Sequence, residues 1–186
     1  MTRIIAGSAK GRRLEVPHGG TRPTSDKIRE AIFSRLESWG VLDGARVLDL
    51  FAGSGALALE ALSRGAQRAV LVDSSTKAAR VAKINVSSLG LGNRARVIPT
   101  SAKAYLGSSP GQFDVVFVDP PYAMEEPELA DVLLALQPAL HKDATVVIER
   151  DAKSPEPTLP NGIELFSNRR WGDTAAWFVG PSEEET

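Results

Sequence analysis

From residue 46 onward the chain alternates between short apolar runs and amphipathic stretches, and no other feature limits the fold as much. "RVLDLF" (46–51), "RAVLVD" (68–73), "ARVIP" (95–99), "FDVVFVD" (113–119) and "ATVVIER" (144–150) read as strands. Between them, 54–64, 75–89 and 125–138 read as helices, and "SAKAYL" (101–106) as a helical turn. Strands joined by helices run parallel, with helices on both faces of the sheet. "IELFSNRRWGDTAAWFVG" (163–180) reads as a closing hairpin that turns near "WGDT" and adds antiparallel edge strands. The expected class is α/β: a mostly parallel, Rossmann-like, seven-stranded sheet. Ligands of such sheets bind at the carboxyl ends of the strands, near the point where strand order reverses.

The first 40 residues differ. "RIIA" and "RRLEV" flank "GSAKG", a short hairpin with glycines in its turn. "TSDKIREAIFSRLESWG" follows as a helix, capped by Thr24 or Ser25, with Ile28, Ile32, Leu36 and Trp39 as its apolar stripe. Residues 1–40 hold eight Lys/Arg against four acids, a net of +4, whereas the remainder holds 14 against 19, a net of -5. A basic arm on an acidic body suits an anionic partner such as nucleic acid. The division expected is a basic hairpin–helix extension (1–40), a catalytic domain (41–181) and an acidic tail (182–186).

The chain has no cysteine, which excludes disulfides, Fe–S clusters and thiol nucleophiles. Its two histidines, His18 and His141, are far apart, so neither a histidine metal site nor a histidine triad is expected. No apolar run is long enough to span a bilayer, and the start lacks a signal peptide's apolar stretch. A cytoplasmic monomer is expected.

"VLDLFAGSGALALEA" places Gly53-x-Gly55-x-x-Ala58 between a strand and a helix, as a nucleotide-type glycine turn requires. Gly53 suits a tight turn, Gly55 a close backbone approach to ligand, and Ala58 close helix–strand packing. Asp73 ends the next strand, 20 residues after Gly53, where a carboxylate can accept from both ribose hydroxyls. Asp49, four residues before Gly53, would repel a pyrophosphate but suits a cation. S-adenosylmethionine (SAM), with a ribose, an ammonium, a sulfonium and no phosphate, fits this set.

"FDVVFVDPPYAM" ends its strand in Asp119-Pro120-Pro121-Tyr122. The exocyclic amine of a base is a poor nucleophile because its lone pair is delocalised into the ring. Acceptors aimed at its hydrogens free that pair; the Asp119 carboxylate and the Pro120 carbonyl can supply them. Prolines fix φ and stiffen the loop. Tyr122 offers a flat face for an unstacked base. Such chemistry works by positioning and local electrostatics and needs no metal.

"DLFAGSG", "VLVD" and "DPPY", in that order, resemble the SAM-dependent amino-methyltransferases of the class I fold. The arm "RIIAGSAKGRRLEVP…RPTSDKIREAIFSRL", with "GDTAAWFV" near the end, is similar to the bacterial 16S rRNA (guanine-966-N2)-methyltransferase family across nearly the whole chain. The resemblance implies transfer of one methyl from SAM to N2 of a guanine in 16S rRNA, within an assembled or assembling small subunit. It implies that Asp49, Phe51, Gly53, Ser54, Gly55, Asp73 and Ser74 hold SAM, with Ser101 and Ala102 near the adenine. It implies that Asp119, Pro120 and Tyr122 hold the base, and that Arg3, Lys10, Arg12, Arg13 and Arg22 grip rRNA. Thr24 and Arg29 have a second reading, as pins between the arm helix and the catalytic domain.

Three alternatives stand beside this. An N6-adenine methyltransferase also uses "DPPY" but needs base-reading machinery that some 40 residues outside the core hardly supply. An inactive rRNA-binding assembly factor has no need for both Asp119 and Tyr122. An NAD oxidoreductase is disfavoured by Asp49 and by the lack of an evident acid/base pair.

Overall fold

The computed structural model describes residues 2–19 and 24–183; Arg22 lies outside them. In chain order the elements are β1 (Thr2–Arg3), β2 (Arg13–Leu14), α1 (Asp26–Ser38), β3 (Arg46–Asp49), α2 (Ala56–Ser63), β4 (Arg68–Val72), α3 (Thr76–Ser88), β5 (Ala95–Ile98), α4 (Ala102–Gly107), β6 (Phe113–Val118), α5 (Glu126–Leu136), β7 (Leu140–Asp151), β8 (Ile163–Trp171) and β9 (Thr174–Pro181).

Seven strands form one sheet in the order β5-β4-β3-β6-β7-β9-β8. The pairs from β5 through to β7 are parallel. β9 is antiparallel to both β7 and β8. The closing hairpin is present, but only β9 runs against the sheet. It inserts beside β7, so the edge strand β8 runs with the others, contrary to the expected pair of antiparallel edge strands. β7 is also longer than the expected 144–150.

Alternation along the strands makes two cores. Val47, Val115, Phe117, Val147 and Phe178 face α1, α2 and α3, while Leu48, Val116, Val118, Val146, Ile148 and Val179 face α4 and α5. β3 lies between β4 and β6, so the strand order reverses at its carboxyl end.

The arm is joined to this core rather than appended to it. Its Ile4, Leu14, Ile32, Phe33 and Leu36 share one cluster with Val47, Ala58 and Leu62. α1 buries Arg29, Ile32, Phe33 and Leu36, a face turned by about one residue from the expected stripe. Phe33 packs 5.5 Å from Phe117, whereas Trp39 stays 40% exposed and meets Phe178 edge-on. The difference arises because a hydropathy pattern assigns an arginine to the solvent face, and this one is buried.

Glu60, fully buried on α2, explains the burial. It accepts from the backbone N–H groups of Ile5 (2.8 Å) and Ala6 (3.1 Å) and pairs with Arg64 Nε at 3.0 Å and Arg29 Nε at 3.6 Å. Arg29 also donates to the carbonyl of Arg3 and to Asp26. Arg64 reaches Glu30 at 2.7 Å and Glu37 at 3.3 Å, which ties α1 to α2. The pinning reading of Arg29 matches this geometry.

Candidate active site

A cavity of about 1230 Å³ opens at the carboxyl ends of β3, β4, β6 and β7. Its wall includes Phe51, Gly53, Ser54, Asp73, Ser74, Ser101, Ala102, Asp119, Pro120 and Tyr122. The two loops singled out in the sequence therefore meet in one space, because parallel strands bring their carboxyl ends to one edge.

The glycine loop is built from backbone. Asp73 Oδ2 accepts from Gly53 N at 2.8 Å and Oδ1 from Ser75 N at 2.8 Å, so the carboxylate is held at the end of β4. Gly53 has φ +55°, with open space where a Cβ would stand. Gly55 (φ +88°) is different: a Cβ there would lie 2.7 Å from Leu71 Cδ2. Gly53 thus takes the tight turn expected of it and faces open space, whereas Gly55 lets α2 start close against β4 instead of meeting the ligand space as the motif suggests.

Asp49 and Gly55 lie behind the cavity wall rather than on it. Asp49 is buried; Ala58 N donates to its Oδ2 at 3.3 Å and its Oδ1 has no partner. Burial pushes this carboxyl up to about 8, with the charge of Asp119 adding to it. A buried acceptor without a partner under a glycine loop, beside a wall carboxylate at the end of β4, fits a cationic nucleoside such as SAM. Asp49, Gly53, Ser54 and Asp73 could hold it. Ser101 caps α4, accepting from Ala104 N at 3.1 Å.

The second loop is anchored from β7. Arg150 Nη2 donates to the Met124 carbonyl (2.9 Å) and to Glu126 Oε1 (2.7 Å), fixing the chain that follows Tyr122. Pro120 is buried, while Tyr122 is 65% exposed at the rim of the cavity. Burial pushes Asp119 up to about 6; the Thr24 hydroxyl and the Arg150 charge pull against it.

Two residues passed over in the sequence, Glu149 and Asn85, enter here. Ser25 caps α1, accepting from Ile28 N at 3.2 Å, which leaves Thr24 for another role. Its hydroxyl lies 2.9 Å from Glu149 Oε2 and 3.4 Å from Asp119 Oδ2. The available signal for Glu149 was an acid following "VVI" on a buried parallel strand. Asn85, buried on α3, donates to the carbonyls of Ser54 (2.8 Å) and Glu15 (2.9 Å), linking the glycine loop to the arm.

The family described as "Conserved hypothetical protein 95" matches residues 2–180. The chain belongs to that family. It is 37% identical over 174 residues to the ribosomal RNA small subunit methyltransferase D of Escherichia coli K12, covering 93% of this chain and 86% of that protein. It is 36% identical over 176 residues to the Bacillus subtilis protein YlbH, covering 92% and 95%. The solved structure of yhhF from E. coli superposes with a TM-score of 0.87 at 32% identity, covering 98% of each chain. The fold is that of the class I SAM methyltransferases, as the sequence motifs implied.

Of the arm residues, Arg3, Lys10, Arg12 and Arg13 are exposed. Arg12 Nη2 also donates to the Ser88 carbonyl at 2.6 Å, at the carboxyl end of α3, where a cation is favoured. Arg3 and Arg13 are cross-strand partners in the β1–β2 pair.

Proposed function

We propose that the protein methylates the exocyclic N2 of a guanine in 16S rRNA, guanine 966 by family resemblance, using SAM. The meeting of Asp119-Pro120 with the Gly53–Asp73 loop in one cavity, under an exposed Tyr122, carries this reading. When bound, SAM supplies a methyl on a positively charged sulfur. The chain's own groups do the rest. Asp119 accepts a hydrogen of the target amine, the Pro120 carbonyl offers a second acceptor, and Tyr122 stacks on the ring. The basic arm meets the phosphates. Arg3 and Arg13 stand opposite each other on one face, a like-charge pair that costs stability in the free protein and suits a polyanion.

The test is labelled SAM with small ribosomal subunits that lack the modification, followed by nucleoside analysis. N2-methylguanosine is expected. Label in N6-methyladenosine, or in DNA alone, would overturn the assignment. Asp119→Ala should abolish turnover and keep SAM binding; loss of SAM binding would place Asp119 with the cofactor instead.

A further inference from the structure

Three carboxylates end neighbouring strands on one face of the sheet. Asp49 closes β3 opposite Phe117, Asp119 follows Val118, and Glu149 follows Ile148, the residue paired with Val118. All three lie on the side that packs α1 and α2. Among the described residues none forms an ion pair with a cation. Arg29, reaching in from α1, is committed to the Arg3 carbonyl, Asp26 and Glu60. Arg150 points to the opposite face, toward Met124 and Glu126. The Thr24 hydroxyl reaches two of the carboxylates, and like charges gathered at one sheet edge oppose the ionisation of all three.

The surroundings of each acid decide which of them ionises. Asp49 accepts backbone N–H groups from Ala58 and Phe51, but burial outweighs them and pushes it up to about 8. Asp119 is only half-buried and lies in the field of Arg150. Glu149, a residue of the cavity wall, is 5% exposed and has one donor, the Thr24 hydroxyl; its Oε1 is buried without a partner. A hydroxyl has one proton, and the 2.9 Å distance gives it to Glu149 over Asp119 at 3.4 Å, a contact that opposes but does not outweigh the burial of Glu149.

We infer that Glu149 is a positioning residue that stays protonated at neutral pH and so leaves Asp119 the ionised acceptor for the target amine. This rests on the reading of Asp119 as that acceptor. Charged and polar groups facing Glu149 are Asp119 from β6, Thr24 and Arg29 from the arm and α1, and Asp49 from β3. Burial, then the charge of Asp119, raises Glu149 well above the usual carboxylate range, whereas the Thr24 hydroxyl and the Arg150 charge oppose the effect of burial on Asp119.

Infrared difference spectroscopy on the full chain without cofactor tests this independently of activity. At neutral pH the wild type should show protonated-carboxyl C=O absorption, part of it from Asp49, and Glu149→Gln should lower the intensity of that band. Asp119→Asn should keep it and move its titration to lower pH, because a like charge is gone. A band unchanged in Glu149→Gln, or lost in Asp119→Asn, overturns the inference. Thr24→Val should move the titration of that band to higher pH, since Glu149 loses the hydroxyl that favours its charged form. In turnover, a uniform loss of about a hundredfold in Glu149→Gln across all pH would make Glu149 an ionised base and also overturn the inference. Absence of methyl transfer by the wild type would sink the rRNA reading, while the infrared result still decides Glu149.

Discussion

Asn85 Nδ2 donates to the carbonyl of Ser54 at 2.8 Å, both groups being buried. The same amide bonds Glu15 through its N–H and its carbonyl, at 2.8 and 2.9 Å. One side chain therefore fixes the glycine loop and the segment that follows the arm's hairpin.

Asn85→Ala removes all three bonds and leaves buried backbone groups unpaired, at about 1–3 kcal/mol for each group that water cannot reach. Thermal unfolding should drop by roughly 2–4 °C per kcal/mol lost for a chain of this size. SAM affinity, read by calorimetry, should fall as well, because Ser54 loses its tether. A variant with lower Tm but unchanged SAM affinity would show that the loop holds its shape without Asn85.

Asp49 predicts how stability depends on pH. Its folded value, about 8, lies above its ordinary 3.8. A carboxyl raised in the folded state favours folding below its ordinary value, and that advantage is lost as pH climbs through the folded value. Asp119 and Glu149 are raised too and act in the same sense. The protein without cofactor should therefore lose stability steadily between about pH 4 and 8. Asp49→Asn should flatten this slope and raise the Tm near pH 8 by an amount reflecting a few kcal/mol at most. SAM, being cationic, should stabilise the wild type more at pH 8 than at pH 5. A Tm independent of pH over this range would mean that Asp49 titrates normally.

The sheet was legible because its strands are apolar on both faces, and Gly40, Gly65 and Gly90 end helices where expected. The glycine loop and "DPPY" were legible because their spacing is local. Glu60, Asn85 and Glu149 were not, and Arg29 was legible only as one of two readings. Each is a polar group buried against partners that are 24 or more residues away for its decisive contacts: Arg3 for Arg29, Ile5 for Glu60, Glu15 for Asn85 and Thr24 for Glu149. Polar burial is a tertiary property, and hydropathy patterns carry no trace of it.

Gly7 and Gly11 separate two reasons for a glycine. Both have positive φ, +87° and +81°. A Cβ on Gly7 would lie 1.9 Å from the Ser63 carbonyl oxygen, at the point where Ser8 N and Ala9 N bond Ser63; a Cβ on Gly11 meets nothing within 4 Å. Gly11→Ala should cost only the backbone term, about 1–2 kcal/mol. Gly7→Ala should cost clearly more and detach the turn from α2. Denaturant midpoints compare the two directly, and equal losses would show that the turn shifts off Ser63 without penalty.

Arg13→Glu sets stability against RNA binding. In the free protein Arg13 stands across from Arg3, and both are exposed. Replacing one turns a like-charge pair into an attractive one, which should raise stability by a few tenths of a kcal/mol. Against rRNA the same change takes a cation away from the phosphates and adds repulsion. Affinity should fall, and the slope of log K against log salt should become shallower by about 0.7–0.9 for each phosphate that is no longer neutralised. Arg12→Glu should weaken RNA binding too, but it should also lower the Tm, because Arg12 bonds the Ser88 carbonyl at the end of α3. The decisive measurement is the pair of salt titrations on small subunits beside the two melting curves. An Arg13→Glu protein that is more stable yet binds rRNA with an unchanged salt slope would return this face of the arm to a purely structural role.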